Sequence, residues 1–157
     1  MSFQVIATLP DGLRRYQKLV DMNGLYGADF KAKSQAALQF LNWCNEGSPN
    51  EPTVPPIKTG NLRGSASVFV GAVLIMNTRQ NYGVGTPVTN YDAPVNEMTL
   101  VYNTDYAARM HEDTWNPGEG SLQSGNVGNK WVERHMSADG SALLEMYALT
   151  LKRLTGA

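Results

Sequence analysis

The sequence predicts an α+β fold: a small antiparallel sheet with an extended β-hairpin, packed against N-terminal and C-terminal helices. Three observations carry this. Helical periodicity is concentrated near the two ends of the chain. The β-branched and aromatic runs "SASVFVGAVLIM" and "MTLVYNT" fall in the middle. Stretches rich in Pro, Gly and Asn separate these blocks. A chain of 157 residues is long enough for one domain that buries about two-thirds of its unfolded surface. It reads as a single domain, 1–157, with flexible segments at 45–58, 79–97 and 113–129.

Residues 3–8, "FQVIAT", suit a short strand. In "DGLRRYQKLVDMNG", Leu13, Tyr16, Leu19 and Val20 recur at helical spacing, with Asp11 as an N-cap and Gly24 as a stop. A longer helix is expected from Ala28 to Cys44. Tyr26, Phe30, Ala37, Leu41 and Cys44 would share a face, with Lys31, Lys33, Gln35, Gln39 and Asn42 largely elsewhere. "NEGSPNEPTVPP" then ends the helix, and Pro52, Pro55 and Pro56 hold an extended surface linker. The stretch 65–76 reads as two strands, or one bent at Gly71-Ala72. With 98–104 it suggests a hairpin whose enlarged tip is 79–97. "DYAARMHE" predicts a two-turn helix capped by Thr104. Residues 130–136 turn helical, and Ser137 then caps a last helix with the stripe Leu143, Tyr147, Leu151 and Leu154. Lys152, Arg153 and Gly156 close it.

Composition excludes several function classes. Thirteen basic against fourteen acidic residues give a net charge of −1, without the basic excess of a dedicated nucleic-acid binder. Little charge repulsion opposes self-association. Cys44 is the single cysteine, so an intrachain disulfide is impossible; the residue reads as a small core hydrophobe in a reducing compartment. "MSFQVIATLP" lacks the basic start of a secretory signal, and no run approaches the ~20 apolar residues of a membrane helix. The expectation is a soluble protein with no membrane partner.

The chemical motifs are weak. "HED" at 111–113 invites a metal reading, but adjacent helical residues point apart, and His135 is the only other histidine. Gly83-Val84-Gly85 lacks both the third glycine and the following helix of a phosphate loop. A small hydrolase using His111 and Glu112 would need a positioned nucleophile, and none is apparent. Ser65 suits a strand entry. No catalytic residue, cofactor or metal is expected. Trp43 suits a core or helix-end position, whereas Trp115 stands in a Gly, Asn and Pro loop that suits either local packing or a subunit contact.

The ordered combination of "KTGNLRGSA", a hairpin, "VYNTDYAARMHE", "NKWVERHM" and a terminal helix resembles the tail-completion or head–tail joining family of tailed bacteriophages. Its members are often labelled minor capsid or minor tail proteins. The family pattern falls on Pro56, Thr59, Gly60, Leu62 and Ser65, then on Asn103, Tyr106, Ala107 and Glu112. The chain departs from it at Asp113-Thr114, where Gly-Thr is common, at Lys130-Trp131-Val132, where a Pro-Phe segment is common, and in an enlarged 79–97 connection. The resemblance implies a structural virion protein, assembled in the host cytoplasm, that forms a homo-oligomeric ring, usually six-fold, at the head–tail junction. The ring would join a connector or head-closure protein to a tail tube or terminator protein, and DNA would pass its bore without sequence-specific binding. The alternatives are a tail terminator, a head-closure protein, or a binding module that acts in assembly and is absent from the virion. Ring contacts need two different complementary surfaces. Loop context nominates Tyr82, Tyr91 and Trp115 for them.

Overall fold

The fold was analysed in a computed structural model that describes residues 4–8, 26–57, 59–94, 97–123 and 125–156. The helix expected over 11–23 lies outside the described residues. The order is β1 (Gln4–Thr8), α1 (Tyr26–Glu46), a 3-10 turn (Arg63–Ser65), β2 (Ala66–Val70), β3 (Val73–Asn77), α2 (Arg79–Tyr82), β4 (Met98–Asn103), α3 (Ala107–Glu112), α4 (Glu119–Gln123) and α5 (Trp131–Thr155). This is an α+β fold built on a four-stranded antiparallel sheet of order β1-β4-β2-β3.

Sheet order corrects one expectation. Residues 66–77 form a tight hairpin turning at Gly71-Ala72, but β4 pairs with β2 and β1 and not with β3. The 79–97 connection is therefore not a hairpin tip. Burial explains the order. Every residue of β2 is buried, as are five of the six in β4, whereas β3 is half-exposed. Strands apolar on both faces belong at the centre, and β3 takes the edge. Val68 faces Met76 and Phe69 faces Leu74, so Ile75 is a bulged residue on that edge.

One face of the sheet carries the main core. Val68, Val70, Leu100 and Tyr102 meet Ala36, Phe40 and Cys44 of α1, and Trp131, Leu143 and Tyr147 of α5 complete the layer. Trp131 sets its edge on Tyr102 with centroids 5.7 Å apart. Each of these large aromatics buries on the order of 200 Å², worth about 5 kcal/mol before entropy is charged. On the opposite face Ser67, Phe69, Thr99 and Val101 are equally buried. The 79–97 connection lies against them. Ser67 Oγ donates to the Val88 carbonyl at 2.7 Å, Tyr91 packs on Phe69 at 5.7 Å, and Asn103 Nδ2 donates to the Thr86 carbonyl at 2.8 Å.

The helices depart from their expected faces. Along α1 the buried positions run Asp29, Ala32, Lys33, Ala36, Ala37, Phe40, Leu41, Cys44 and Asn45. Lys33, expected on the polar face, is 1% exposed because its ammonium meets Asp29 Oδ2 at 2.6 Å one turn earlier. The C-terminal segment is one continuous helix. Ser137 is an exposed interior residue and not a cap. Asp139, one turn from His135, is wholly buried, so its carboxylate serves tertiary partners. Leu154, assigned to the apolar stripe, is 42% exposed. The expected Gly156 stop is present in the left-handed region, φ 71°, with its N–H on the Lys152 carbonyl. In α3 the helix begins at Ala107 with Tyr106 flanking it. Thr104 contributes its carbonyl to the Ala107 N–H at 3.3 Å, and its hydroxyl does not cap.

A Cβ on Gly64 would lie 1.9 Å from the Val84 carbonyl oxygen, and one on Gly85 2.3 Å from Gly64. Two backbones cross there with no room for a side chain. Gly140, inside α5, has nothing within 4 Å of its Cβ position. Gly64→Ala should therefore destabilise the protein by about 3 kcal/mol, and Gly140→Ala should stabilise it by about 0.5–1 kcal/mol, both read from chemical denaturation. Equal effects at the two glycines would refute the crossing.

Candidate functional site: a groove between two sequence windows

The groove begins with the proline segment. The segment does not behave as the free surface linker expected over 45–58. Ser48 Oγ donates to the Asp139 carboxylate at 2.8 Å, Asn50 Nδ2 also donates to it, and Val54 forms an isolated parallel bridge with Val127. Val54 and Pro55 are buried. The Pro55 carbonyl accepts from Arg63 Nε at 3.0 Å and Nη2 at 2.8 Å. The chain between Pro55 and Arg63 thus forms a loop closed on itself.

Within that loop Thr59 is exposed, and its hydroxyl accepts the Asn61 N–H at 3.4 Å. Gly60 sits at φ 84°, which an L side chain would strain. Its carbonyl accepts the Gly64 N–H at 2.8 Å, and the 3-10 turn follows with the Ser65 N–H on the Leu62 carbonyl at 3.1 Å. Leu62 is buried, and its carbonyl accepts the Ser65 hydroxyl at 2.7 Å. Arg63, only 6% exposed, offers its own carbonyl to Thr78 Oγ1 at 2.5 Å and to Asn45 Nδ2 at 3.3 Å. Tyr102 OH donates to Asn45 Oδ1 at 2.5 Å. One polar network therefore joins α1, the proline segment, the hairpin and β4.

Against this loop stands α3. A groove of about 470 Å³ opens between them, with Pro56, Gly60 and Leu62 on one side and Tyr106, Arg109 and Met110 on the other. Thr59 and Asn61 form part of its rim. Five of the nine family-pattern positions, Pro56, Thr59, Gly60, Leu62 and Tyr106, line this one groove. The other four do not. Ser65 and Ala107 are wholly buried, Asn103 holds Thr86, and Glu112 pairs with Lys130 and with His111.

The three nominated interface residues each have local partners. Tyr82 OH donates to the Glu46 carboxylate; burial, then that hydrogen bond and charge, push its hydroxyl well above the ordinary tyrosine value, with the Arg63 charge opposing. Tyr91 packs on Phe69. Trp115, half-buried, donates Nε1–H to the Met110 carbonyl at 2.8 Å and so steadies the end of α3 behind the groove.

The structure also tests the chemical temptations. His111 is buried, with Nδ1 2.7 Å from Glu112 Oε1 and its ring edge-on to Trp131 at 4.8 Å; it is not among the groove-lining residues. Asp113 faces Arg109 instead, so "HED" does not converge. Ser48, Asp139 and His135 gather the residue types of a nucleophilic triad in the wrong order. The serine donates to the carboxylate, and the imidazole uses Nδ1 on Asp139 and Nε2 on the Thr53 carbonyl, so no base faces the hydroxyl. The cluster fastens the 48–54 segment to α5. Burial, then the Asp139 charge, raise the Cys44 thiol well above its ordinary value, which keeps it protonated and non-nucleophilic at neutral pH. Gly83-Val84-Gly85 contributes the backbone crossing at Gly64. Among the described residues no three His, Cys, Asp or Glu converge as metal ligands.

Sequence reasoning missed Arg63, Thr78 and Asn45. Nothing in their spacing marks an arginine that binds a carbonyl eight residues back. No family model matches the chain, and no curated protein or solved structure matches it.

Two predictions follow from these contacts. Arg63→Lys cannot reproduce the two-pronged bond to Pro55, so it should cost about 2 kcal/mol in urea unfolding; an unchanged midpoint would show that the network carries no energy. Hydrogen bonds from Lys130 and then His111 hold the Glu112 carboxyl below its ordinary value of 4.5. A carboxyl depressed in the folded state stabilises above its unfolded value, and that contribution is lost as pH falls through the folded one. Glu112→Gln should therefore lower Tm modestly at neutral pH, and the gap from wild type should close in acid. A gap that persists in acid contradicts the ion pair.

Proposed function

We propose that the protein is a structural subunit of a tailed-bacteriophage virion, acting in tail completion at the head–tail junction. It assembles with copies of itself into a ring, six-fold in this reading, between a head connector or head-closure protein and the tail tube or terminator, and DNA passes through the bore. The observation that carries the reading is the meeting of the two sequence windows. Residues that resemble the family pattern, distant along the chain, share one exposed groove. Their spatial convergence is what a common assembly surface requires.

Two further features support it. The polar clusters that could suggest catalysis are fastened into the fold, as the Ser48–Asp139–His135 arrangement illustrates. From residue 80 to residue 108 the sequence carries Asp92, Glu97 and Asp105 and no lysine, arginine or histidine. Part of this run lies over the second face of β2 and β4. A bore lined by such a face would not grip phosphates and would let DNA slide.

Native mass spectrometry of the purified chain, with negative-stain electron microscopy, should show closed rings with an open centre, and purified virions should contain the protein. A strict monomer that is absent from purified particles would refute this function.

A further inference from the structure

The groove has a neighbour on the same surface. Ile57, next to Pro56, donates its N–H to Ser121 Oγ at 3.2 Å, which seats α4 beside the groove mouth. Ser121 faces inward, and the other side of α4 faces out. There Leu122 is 63% exposed, the most exposed of the large hydrophobic side chains described. Glu119, exposed and three residues earlier, shares that outward side. The patch thus presents an apolar knob with a carboxylate at its flank. The groove presents the converse: Leu62, Pro56 and Met110 as apolar walls, and Arg109 as the charged residue among the described lining. The Arg109 side chain is 77% exposed and makes only a loose contact with Asp113, at 3.9 Å, so most of its five donors are open to a second carboxylate.

We propose that this surface pairs two copies of the chain about a two-fold axis, with Leu122 of each copy in the groove of the other and each Glu119 on the other's Arg109. Two arguments select this occupant. The charges match, since the charge lining the groove among the described residues is basic and the knob's flank is acidic. The placement also matches. A two-fold contact requires knob and hole to lie side by side on one patch, because each copy contributes both. A head-to-tail ring contact requires them on opposite flanks, so this two-fold pairing goes beyond the ring's side-to-side contacts and gives the same assembly groove a second copy as its occupant. In a ring-forming protein it would join two rings face to face.

The test uses sedimentation velocity of the full chain over a concentration series. Wild type should show reversible pairing. Leu122→Ser should weaken it about tenfold or more, since a leucine is no longer buried, while thermal unfolding stays unchanged because the side chain is exposed in the single copy. Arg109→Glu alone and Glu119→Arg alone should each weaken pairing, by more at low salt. Mixing these two variants should restore it, because both cross-contacts regain opposite charges, and carrying both changes in one chain should do the same. A protein that stays unpaired at every concentration, pairing indifferent to Leu122→Ser, or charge reversal without rescue each overturns the proposal. Rings that form with unchanged stacking in all variants overturn the pairing and leave the ring reading standing. Charge-swap rescue without any ring supports the pairing and counts against the ring.

Discussion

Arg63 is the point on which the architecture turns. Its guanidinium clasps the Pro55 carbonyl, and its own carbonyl receives Thr78 and Asn45. Asn45 in turn receives the Tyr102 hydroxyl from the middle of the core. Three chain segments are thereby bound to one residue, and β4 is joined through Asn45, in a region almost without solvent. Each hydrogen bond contributes only about 1 kcal/mol net, but leaving any of these groups unpaired in the interior would cost more than that. The network is therefore close to all-or-none. It holds the loop that carries Thr59, Gly60 and Leu62 in one place relative to the sheet.

Around that hub, sterics do what polarity cannot. Gly64 and Gly85 let two backbones touch, which brings the long connection back from β3 and lays it over the second face of the sheet. The sheet therefore has a helical cover on one side and an irregular, nearly uncharged cover on the other. The groove forms because the Arg63 loop and α3 both emerge at one end of this sandwich, from β2 and β4, which are neighbours in the sheet. Two windows far apart in sequence share a surface because two central strands are paired.

Much of this was legible beforehand. The long α1, a break at Gly71-Ala72 and the α+β class follow from apolar period and turn residues, which are local properties; that α5 runs unbroken through Ser137 and that the tight hairpin is 66–77 do not. The proline segment, the hairpin order and the helix ends were read less well, for an identifiable reason. Asp139 and Ser137 have the composition of a helix start, and only the partners Ser48 and His135 reveal that the carboxylate serves another segment. Lys33 has the chemistry of a solvent-facing residue until Asp29 neutralises it within the helix.

What the sequence determined by itself is the main elements and the residue types of the two windows, because periodicity and turn chemistry act over a few residues; the short α2 and α4 fall inside segments it reads as flexible. Tertiary structure alone decided which strand stands at the edge, that the 79–97 connection is a cover and not a hairpin tip, and that Pro56, Thr59, Gly60 and Leu62 meet Tyr106 in one groove. Those outcomes depend on pairing between distant segments, and the energy that selects the pairing comes from burying both faces of β2 and β4 at once.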